Sequence, residues 1–530
     1  MTYGINNLKK TIFFLACFSL IFDNLYSYRI FQTLSNGLSN KASWYFLLIL
    51  AFVIFAECLK NNARVIQDDV DRKYFKIYLV CLIFLLILSN VLGFFLFPYW
   101  NEVYHLDTTY VKNIRTLINY IPWDISQATL LQIRIFIKSL KMPVLDVLFS
   151  FGFSIIVYSF IRPNIKTGVR LLIVATWLSI VVILIYSFLE LQYFAGSSFA
   201  RTILEHINFY LHPLYSEYNN WPPLLWYSHQ VRSVFSEPSR VGNYAAFALP
   251  LLWTQLLDKS TCHGWKVLIT YGFMLVVFMS QARTAISIFV GLAALSIVFL
   301  IFTRNKTLIL RGVMIALLGI FSFWSSLYFI NNVDKSAMMF RDYYKEKNSN
   351  TVVTQRDYIE NQLLSLGKKK SRSNASRYAY LRINFKTGIE HPIFGVGNVL
   401  TDVYAKHNLS KSDLQVDEIR WHFYTYISKG PFYQMNFGAG NEYVQRFAST
   451  GFLGLSIFLL PFAYILIKLM IELKKGDFHM RIEQSGIILS MIGCMVAGMN
   501  GSLMILYTTW IILPFAYCIM KDTVSHGEIQ

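Results

Sequence analysis

Charge is what this sequence has least of. Only 15% of its 530 residues are Asp, Glu, Lys or Arg, against about 25% in soluble globular proteins. That deficit excludes an ordinary soluble domain. Acidic residues are the scarcer sign, with 30 Asp and Glu against 48 Lys and Arg and a formal net charge of +18. Cysteine is sparse as well. Cys17, Cys58, Cys81, Cys262, Cys494 and Cys518 lie in or beside apolar runs or in a short loop, and the largest hydrophilic segment has none. Neither a disulfide framework nor a zinc-ligand spacing is present. No internal repeat relates residues 1–265 to 266–530, which weighs against the paired halves common in transporters. No small-residue cleavage site follows Lys9, Lys10 and "TIFFLACFSLIF"; "DNLYSYRIF" does. The apolar start is therefore expected to be a retained first span rather than a signal peptide.

What is abundant is apolar and aromatic surface, at 55% and 17% of the residues. It comes in long runs rather than periodic stripes. A bilayer-spanning helix needs about 20 mostly apolar residues, so the expectation is an all-α polytopic membrane protein with about 12 transmembrane helices. Their expected limits are 11–31, 43–59, 77–98, 142–161, 170–192, 240–257, 265–281, 283–302, 308–330, 449–469, 483–500 and 502–520. The first is interrupted by Asp23, Asn24 and Arg29. With the N-terminus inside, the inside segments carry about twice as many Lys and Arg as the outside ones, leaving out the longest loop. Both termini are then expected to be cytoplasmic. The chain divides into N-terminal transmembrane helices (1–192), an extracytoplasmic loop (193–239), central helices (240–330), a large extracytoplasmic loop (331–448) and C-terminal helices (449–530). The positive charge fits topology and anionic membrane lipids, or an anionic substrate. It is scattered between spans, which disfavours nucleic acid as a partner.

Segment 331–448 is far longer than an ordinary loop. Its first part, with "KEKNSNTVVTQRDY" and "GKKKSRSNAS", is polar and expected to be mobile. From Ser376 to Glu390, Tyr378, Leu381, Phe385 and Ile389 recur at helical spacing, flanked by Arg377, Arg382 and Lys386. That predicts an amphipathic helix with these basic residues flanking its apolar stripe. "HPIFGVGN" then supplies the proline and glycines of a tight turn. The aromatic, glycine-rich "WHFYTYISKGPFYQMNFGAGNEY" suits a surface at the membrane interface. Segment 193–239, with "HPLYSEYNNWPPLLWYSHQVRSVFSEPS", has similar character and is expected to fold back onto the bundle.

Four clusters of charge fall on one expected face: Arg232–Arg240, Arg283, Arg377–Lys386 and Gly440–Arg446. Arg283 in "FMSQARTAISIF" is the costliest, at about 2.5–3.5 kcal/mol for an arginine deep in a membrane. It either snorkels to headgroups at a helix boundary or faces an anion, for which the planar guanidinium fork is well suited. Glu237, before Pro238 and Ser239, reads as a helix start favoured by the dipole. That reading leaves the arginines on both sides of it unexplained.

"FSEPSRVGNYAAF", "SQARTAISIFVGL", "SRYAYLRINFKTGIEHPIFGVGN" and "GNEYVQRFASTGFLGLSIFLLPF" occur in this order over roughly residues 230–470. In order and spacing they resemble the bacterial O-antigen polymerase and O-antigen ligase superfamily. The resemblance implies a GT-C-like, metal-independent glycosyltransferase of the inner membrane that needs no cofactor. Its partners would be an undecaprenyl-diphosphate-linked oligosaccharide and membrane lipids, with a chain-length regulator as an optional further one. Arg283 matches the arginine of the family's "S-x-(S/A)-R-T-A" motif and Arg377 the loop arginine before "HPIFGVG". Both would stabilise charge on the departing diphosphate. Arg232, Arg240 and Arg382 are secondary candidates for contacts to the same substrate, and Asn441 and Glu442 match the "NEY" positions. Gly440 departs from the pattern, because many members, ligases especially, have histidine there as base or acceptor-positioning group. Glu237, Glu442, His422 and His391 are the candidates to replace it, and Glu237 is the choice, with His391 assigned to the turn. The missing histidine favours a polymerase of O-antigen or capsule-like repeats over a ligase to lipid A core. A flippase for the same lipids is the alternative of another class.

Overall fold

Helix starts in this chain are written locally and recur in the structure. Asp68 accepts hydrogen bonds from the amides of Val70 (3.0 Å) and Asp71 (3.2 Å). Ser126 caps with Thr129 (3.1 Å), Asn164 with Thr167 (3.0 Å) and Ser197 with Ala200 (3.3 Å). Each satisfies an amide that the first helical turn leaves open. The computed structural model describes residues 2–25, 27, 31, 35, 37–106, 125–212, 230–302, 305–333, 372–432, 437–475 and 482–527.

Among the described residues all regular structure is helical. The helices are α1 (Thr2–Phe18), α2 (Ala42–Lys60), α3 (Asp69–Phe95), α4 (Trp100–Leu106), α5 (Gln127–Val147), α6 (Phe153–Ile161), α7 (Ile165–Phe194), α8 (Ser198–Leu211) and α9 (Pro238–Leu257). They continue as α10 (Gly264–Met279), α11 (Arg283–Phe302), α12 (Lys306–Val333), α13 (Arg372–Glu390), α14 (Thr401–His407), α15 (Asp417–Lys429), α16 (Glu442–Lys475), α17 (Ile482–Ala497) and α18 (Tyr507–Gly527). Seven of the described helical stretches are long and apolar enough to cross a membrane, one of them the continuous run Gln127–Phe194; α10 is apolar but shorter. The protein is an all-helical membrane protein.

Several limits differ from the sequence expectation. The first helix ends at Phe18, followed by a short turn over Ser19–Ile21, so Asp23 and Asn24 leave the helix instead of interrupting it. The helix expected at 142–161 starts at Gln127 and passes through a π-turn at Leu148–Gly152, five residues after Pro143. Proline removes one ladder bond, and a π-turn is a common way to absorb such a defect. α16 breaks at Gly451, which has φ 66° and ψ −169°. The polar stretches of 334–371, residues 213–229 and residues 433–436 of the aromatic loop lie outside the described residues, as does Arg29.

α9 is the central helix, buried continuously from Val241 to Leu257. It packs against α17, α11, α10 and α12. Small residues set the spacing: a Cβ at Gly242 would run into Ala285 of α11, and Cβ atoms at Gly486 and Gly493 would run into Thr254 and Ala246 of α9. Without a hydrophobic drive between helices in lipid, such close packing is what holds a bundle together. Because α9 touches protein on all sides, it tolerates Asn243, Thr254 and Gln255, all buried.

α13 forms over the expected segment and docks on the face opposite its apolar stripe. Tyr378, Phe385 and Ile389 are exposed, while Ser376, Ala379, Tyr380, Ile383, Asn384 and Thr387 are buried. Asn384 donates to the carbonyls of Tyr380 (2.9 Å) and Phe437 (2.6 Å), and Ser376 donates to Glu418 (2.7 Å). The docked face is joined by hydrogen bonds, which an apolar-periodicity argument does not register.

Candidate functional site

The close contact of Gly242 with Ala285 sets the first turns of α9 and α11 side by side. "EPSR" and "SQAR" are thereby neighbours. The segment before α9 is tied down by Val231, whose amide donates to Met279 O at 3.1 Å. Ser233 (φ 55°) and Gln281 (φ 47°) both adopt left-handed backbone conformations. For non-glycine residues this costs about 1–3 kcal/mol and often marks functional sites. The surroundings hold Ser233: its amide donates to Glu190 Oε2 at 2.7 Å and its hydroxyl to Ile183 O at 2.9 Å.

Arg232 is 1% exposed. Its Nη1 lies 3.5 Å from Ser236 O, and Glu190 provides the nearby opposite charge. The structure places Arg232 inside the fold, as an anchor of this segment. Arg240 lies beside Asp23, Nε to Oδ2 3.9 Å. Asp23 also accepts from the Ser236 amide (3.1 Å) and hydroxyl (3.2 Å), and its carbonyl accepts from Lys41 Nζ. Glu237, half-buried, caps α9 with its backbone, and its Oε2 accepts from Ser239 Oγ at 3.2 Å. Lys41 is 7% exposed. Burial and the positive charge of Arg240 bring it down to about 8, against the opposing pull of Asp23 and Glu237.

Arg377 comes from α13, nearly a hundred residues after Arg283. Its Nη1 donates to Asn500 Oδ1 at 2.8 Å and approaches Thr284 Oγ1 at 3.5 Å. Thr284 adjoins Arg283, and the charges of Arg377 and Arg283 are near enough to repel. α13 is held at this place by the turn that follows it. The amides of Val396 and Gly397 donate to Ala448 O (3.1 Å) and Ser449 O (2.8 Å), and Phe452 donates back to Pro392 O at 2.7 Å. The "HPIFGVG" turn thus fills the break in α16. A Cβ at Gly395 or Gly451 would collide with the facing backbone.

The "GNEY" stretch meets the segment 498–506, between α17 and α18. Asn441 donates to Met499 O at 3.0 Å, and its Oδ1 caps α16 through Tyr443 N (3.0 Å) and Val444 N (3.1 Å). Glu442 is buried in an ion pair with Arg446 and accepts from Ser502 Oγ (2.8 Å) and Leu503 N (2.9 Å). Gly440 has φ 59°, and a side chain built there would meet open space.

Residues 268–459 match the model of the O-antigen ligase family. Over that stretch the chain is similar to O-antigen ligases, which supports the resemblance to the O-antigen polymerase and ligase superfamily. No curated protein matches the chain. The match to the O-antigen ligase model runs from within α10 into α16. It therefore includes Arg283, Arg377 and Asn441, and omits Lys41, Asp23, Glu237, Arg240 and the 498–506 segment.

The other sequence candidates lie elsewhere in the loop region. Arg382 pairs with Asp413. His422 stands edge-on to Tyr380, ring centroids 6.0 Å apart. His391 packs on Tyr404 at 5.0 Å, and its carbonyl accepts from Gly395 N at 3.0 Å. Sequence reasoning missed Lys41, Asp23 and Asn500. Asp23 carries a signal, a carboxylate inside an apolar run, which by itself reads only as an interruption. Asn500 carried none beyond its place in a short glycine-flanked connection.

Proposed function

We propose that this protein is a polymerase of lipid-linked oligosaccharide repeats, transferring glycan from undecaprenyl diphosphate to a sugar hydroxyl of a second lipid-linked repeat. The observation that carries the reading is the pairing of Arg377 with the Thr284 and Arg283 end of α11. Two like charges brought together by long-range folding are favourable once an anion lies between them. A guanidinium donates two parallel bonds to phosphate. In the reaction, the acceptor oxygen forms a bond to the anomeric carbon and the carbon–oxygen bond to the diphosphate breaks. The bonding pair leaves with the diphosphate, whose growing charge the two arginines would stabilise. Glu237 would take the acceptor's proton as general base. Asn441 and Asn500 would position the arginine side of the site.

About twelve spans, cytoplasmic termini, an inner-membrane location and a site facing outward from the cell complete this reading. So does the division into two loop regions, 193–239 and 331–448, between three groups of spanning helices. Glycine at position 440, where ligases especially carry histidine, favours the polymerase over a ligase, since no side chain there reaches toward an acceptor.

Deletion of the gene followed by surface-glycan electrophoresis tests the class. A polymerase defect leaves single-repeat glycan, a ligase defect leaves polymer on its lipid carrier, and a flippase defect traps substrate in the inner leaflet. Arg283→Ala and Arg377→Ala are expected to remain inserted at normal abundance and to abolish chain lengthening. Normal ladders from both variants would sink the proposal.

A further inference from the structure

A small cavity of about 30 Å³ opens between α9, the start of α2 and the start of α18. Its polar lining includes Asp23, Lys41, Arg240, Asn243, Tyr507 and Thr508. Its charge differs from that of the Arg283–Arg377 pair. Lys41 and Arg240 are offset by Asp23, and Glu237 is a further carboxylate within electrostatic reach of Lys41. A wall of both signs with amide and hydroxyl groups suits a neutral ligand with many hydroxyls better than an anion.

Two buried polar atoms on this wall have unused capacity. Asn243 is 4% exposed and Tyr507 3% exposed. Among the described residues, neither Asn243 Oδ1 nor Tyr507 Oη has a hydrogen-bond partner. A buried polar group left without a partner is costly, so such groups call for a ligand or water. Aromatic side chains also line the cavity, with Phe22, Phe235 and Tyr244 beside Tyr507. The volume admits about two waters, which matches one hydroxymethyl or hydroxyl edge of a sugar and excludes a whole ring.

We infer that this cavity receives the hydroxyl-bearing edge of the acceptor sugar, with Lys41, Asn243 and Arg240 as its recognition residues. The inference rests on the glycan-transfer reading above and names the acceptor side of that site. The location supports it: Arg240 follows Glu237 by three residues and donates its amide to Glu237 O at 3.0 Å. A hydroxyl held here would be presented beside the carboxylate proposed as base. Lys41, with Asp23, Arg240 and Glu237 as its charged neighbours, can donate to a sugar oxygen held beside Glu237. Ile505 and Leu506 line the same cavity, so the segment that holds Arg377 at Asn500 also closes the acceptor side.

The test separates sugar from diphosphate. Purified protein in nanodiscs is titrated with the free oligosaccharide repeat released by mild acid from the host's surface glycan. It is titrated separately with sugar-free undecaprenyl diphosphate. Lys41→Gln and Asn243→Ala are expected to weaken oligosaccharide binding at least tenfold and leave undecaprenyl diphosphate binding within twofold. Arg283→Ala and Arg377→Ala should show the reverse. Size-exclusion profiles confirm folding; should Lys41→Gln misfold, Asn243→Ala and Thr508→Val carry the test. Unchanged oligosaccharide binding in the folded variants overturns the inference, as does loss of undecaprenyl diphosphate binding in Lys41→Gln. Failure of the wild type to bind either ligand overturns the glycan-transfer reading itself.

Discussion

Arg377 donates to Asn500 across 123 positions of sequence, at 2.8 Å. The contact joins the loop helix α13 to the connection between the last two helices. It makes Asn500 a positioning residue for the proposed diphosphate site. A hydrogen bond to a charged group contributes about 1.5–3 kcal/mol, or at least tenfold in rate if it matters only for the reacting geometry. Asn500→Ala should reduce chain lengthening by about that factor at normal protein level. Asn500→Asp keeps a partner for Arg377 but cancels its charge, so lengthening should fall again while thermal stability does not. Wild-type ladders from both variants would remove Asn500 from the site.

Glu442 and Arg446 form a buried pair, 5% and 8% exposed at their side chains. Removing one partner of such a pair costs about 3–5 kcal/mol. Glu442→Gln is therefore expected to lower the unfolding temperature in detergent sharply and to deplete the protein from the membrane. A stable, abundant Glu442→Gln with no activity would point instead to a chemical role for this carboxylate.

Gly451 has a positive φ and faces the Ile393 carbonyl with no space for a Cβ. Gly451→Ala combines that collision with backbone strain of about 1–3 kcal/mol. The expected result is undocking of the "HPIFGVG" turn, read as faster proteolysis between α13 and α16. Unchanged proteolysis would mean that the break in α16 is not required.

Lys41 titrates near 8 in the folded protein because burial disfavours its charge, whereas an unfolded lysine titrates near 10.4. Between these values the unfolded chain binds more protons, so stability rises with pH through about 8 to 10.4. The cost of the buried ammonium, on the order of 3 kcal/mol, is fully present below pH 8. Lys41→Met should flatten this slope in thermal unfolding measured from pH 7 to 10. Glycan transfer by the wild type should decline above about pH 8 as the ammonium is lost. A variant slope equal to the wild type's would contradict the assignment.

Much of the site was legible because its signals are local. "EPSR", "SQAR", "HPIFGVG" and "GNEY" each announce a helix start or turn within a few residues, and their order carries the family resemblance. The turn glycines, the helix α13 and the proline at the start of α9 all appear where short-range rules place them. The docked face of α13 is not legible in that spacing, because it buries the hydrogen-bonded Asn384 and Ser376 together with Ala379, Tyr380 and Ile383.

Apolar run length determined by itself that the chain is helical and membrane-bound, since a bilayer leaves the backbone few other ways to satisfy its polar groups. The sequence also named Arg283, because arginine beside an apolar run is costly and therefore conspicuous, and Arg377 through the family resemblance. Their shared location was decided only by tertiary structure. Gly242 against Ala285, the turn seated at Gly451 and the Asn500 contact are all pairings over long separations. The same holds for Asp23, which reads as a flaw in an apolar run until Ser236, Arg240 and Lys41 converge on it. Buried polar groups take their meaning from partners, and those partners are brought together by packing rather than by proximity along the chain.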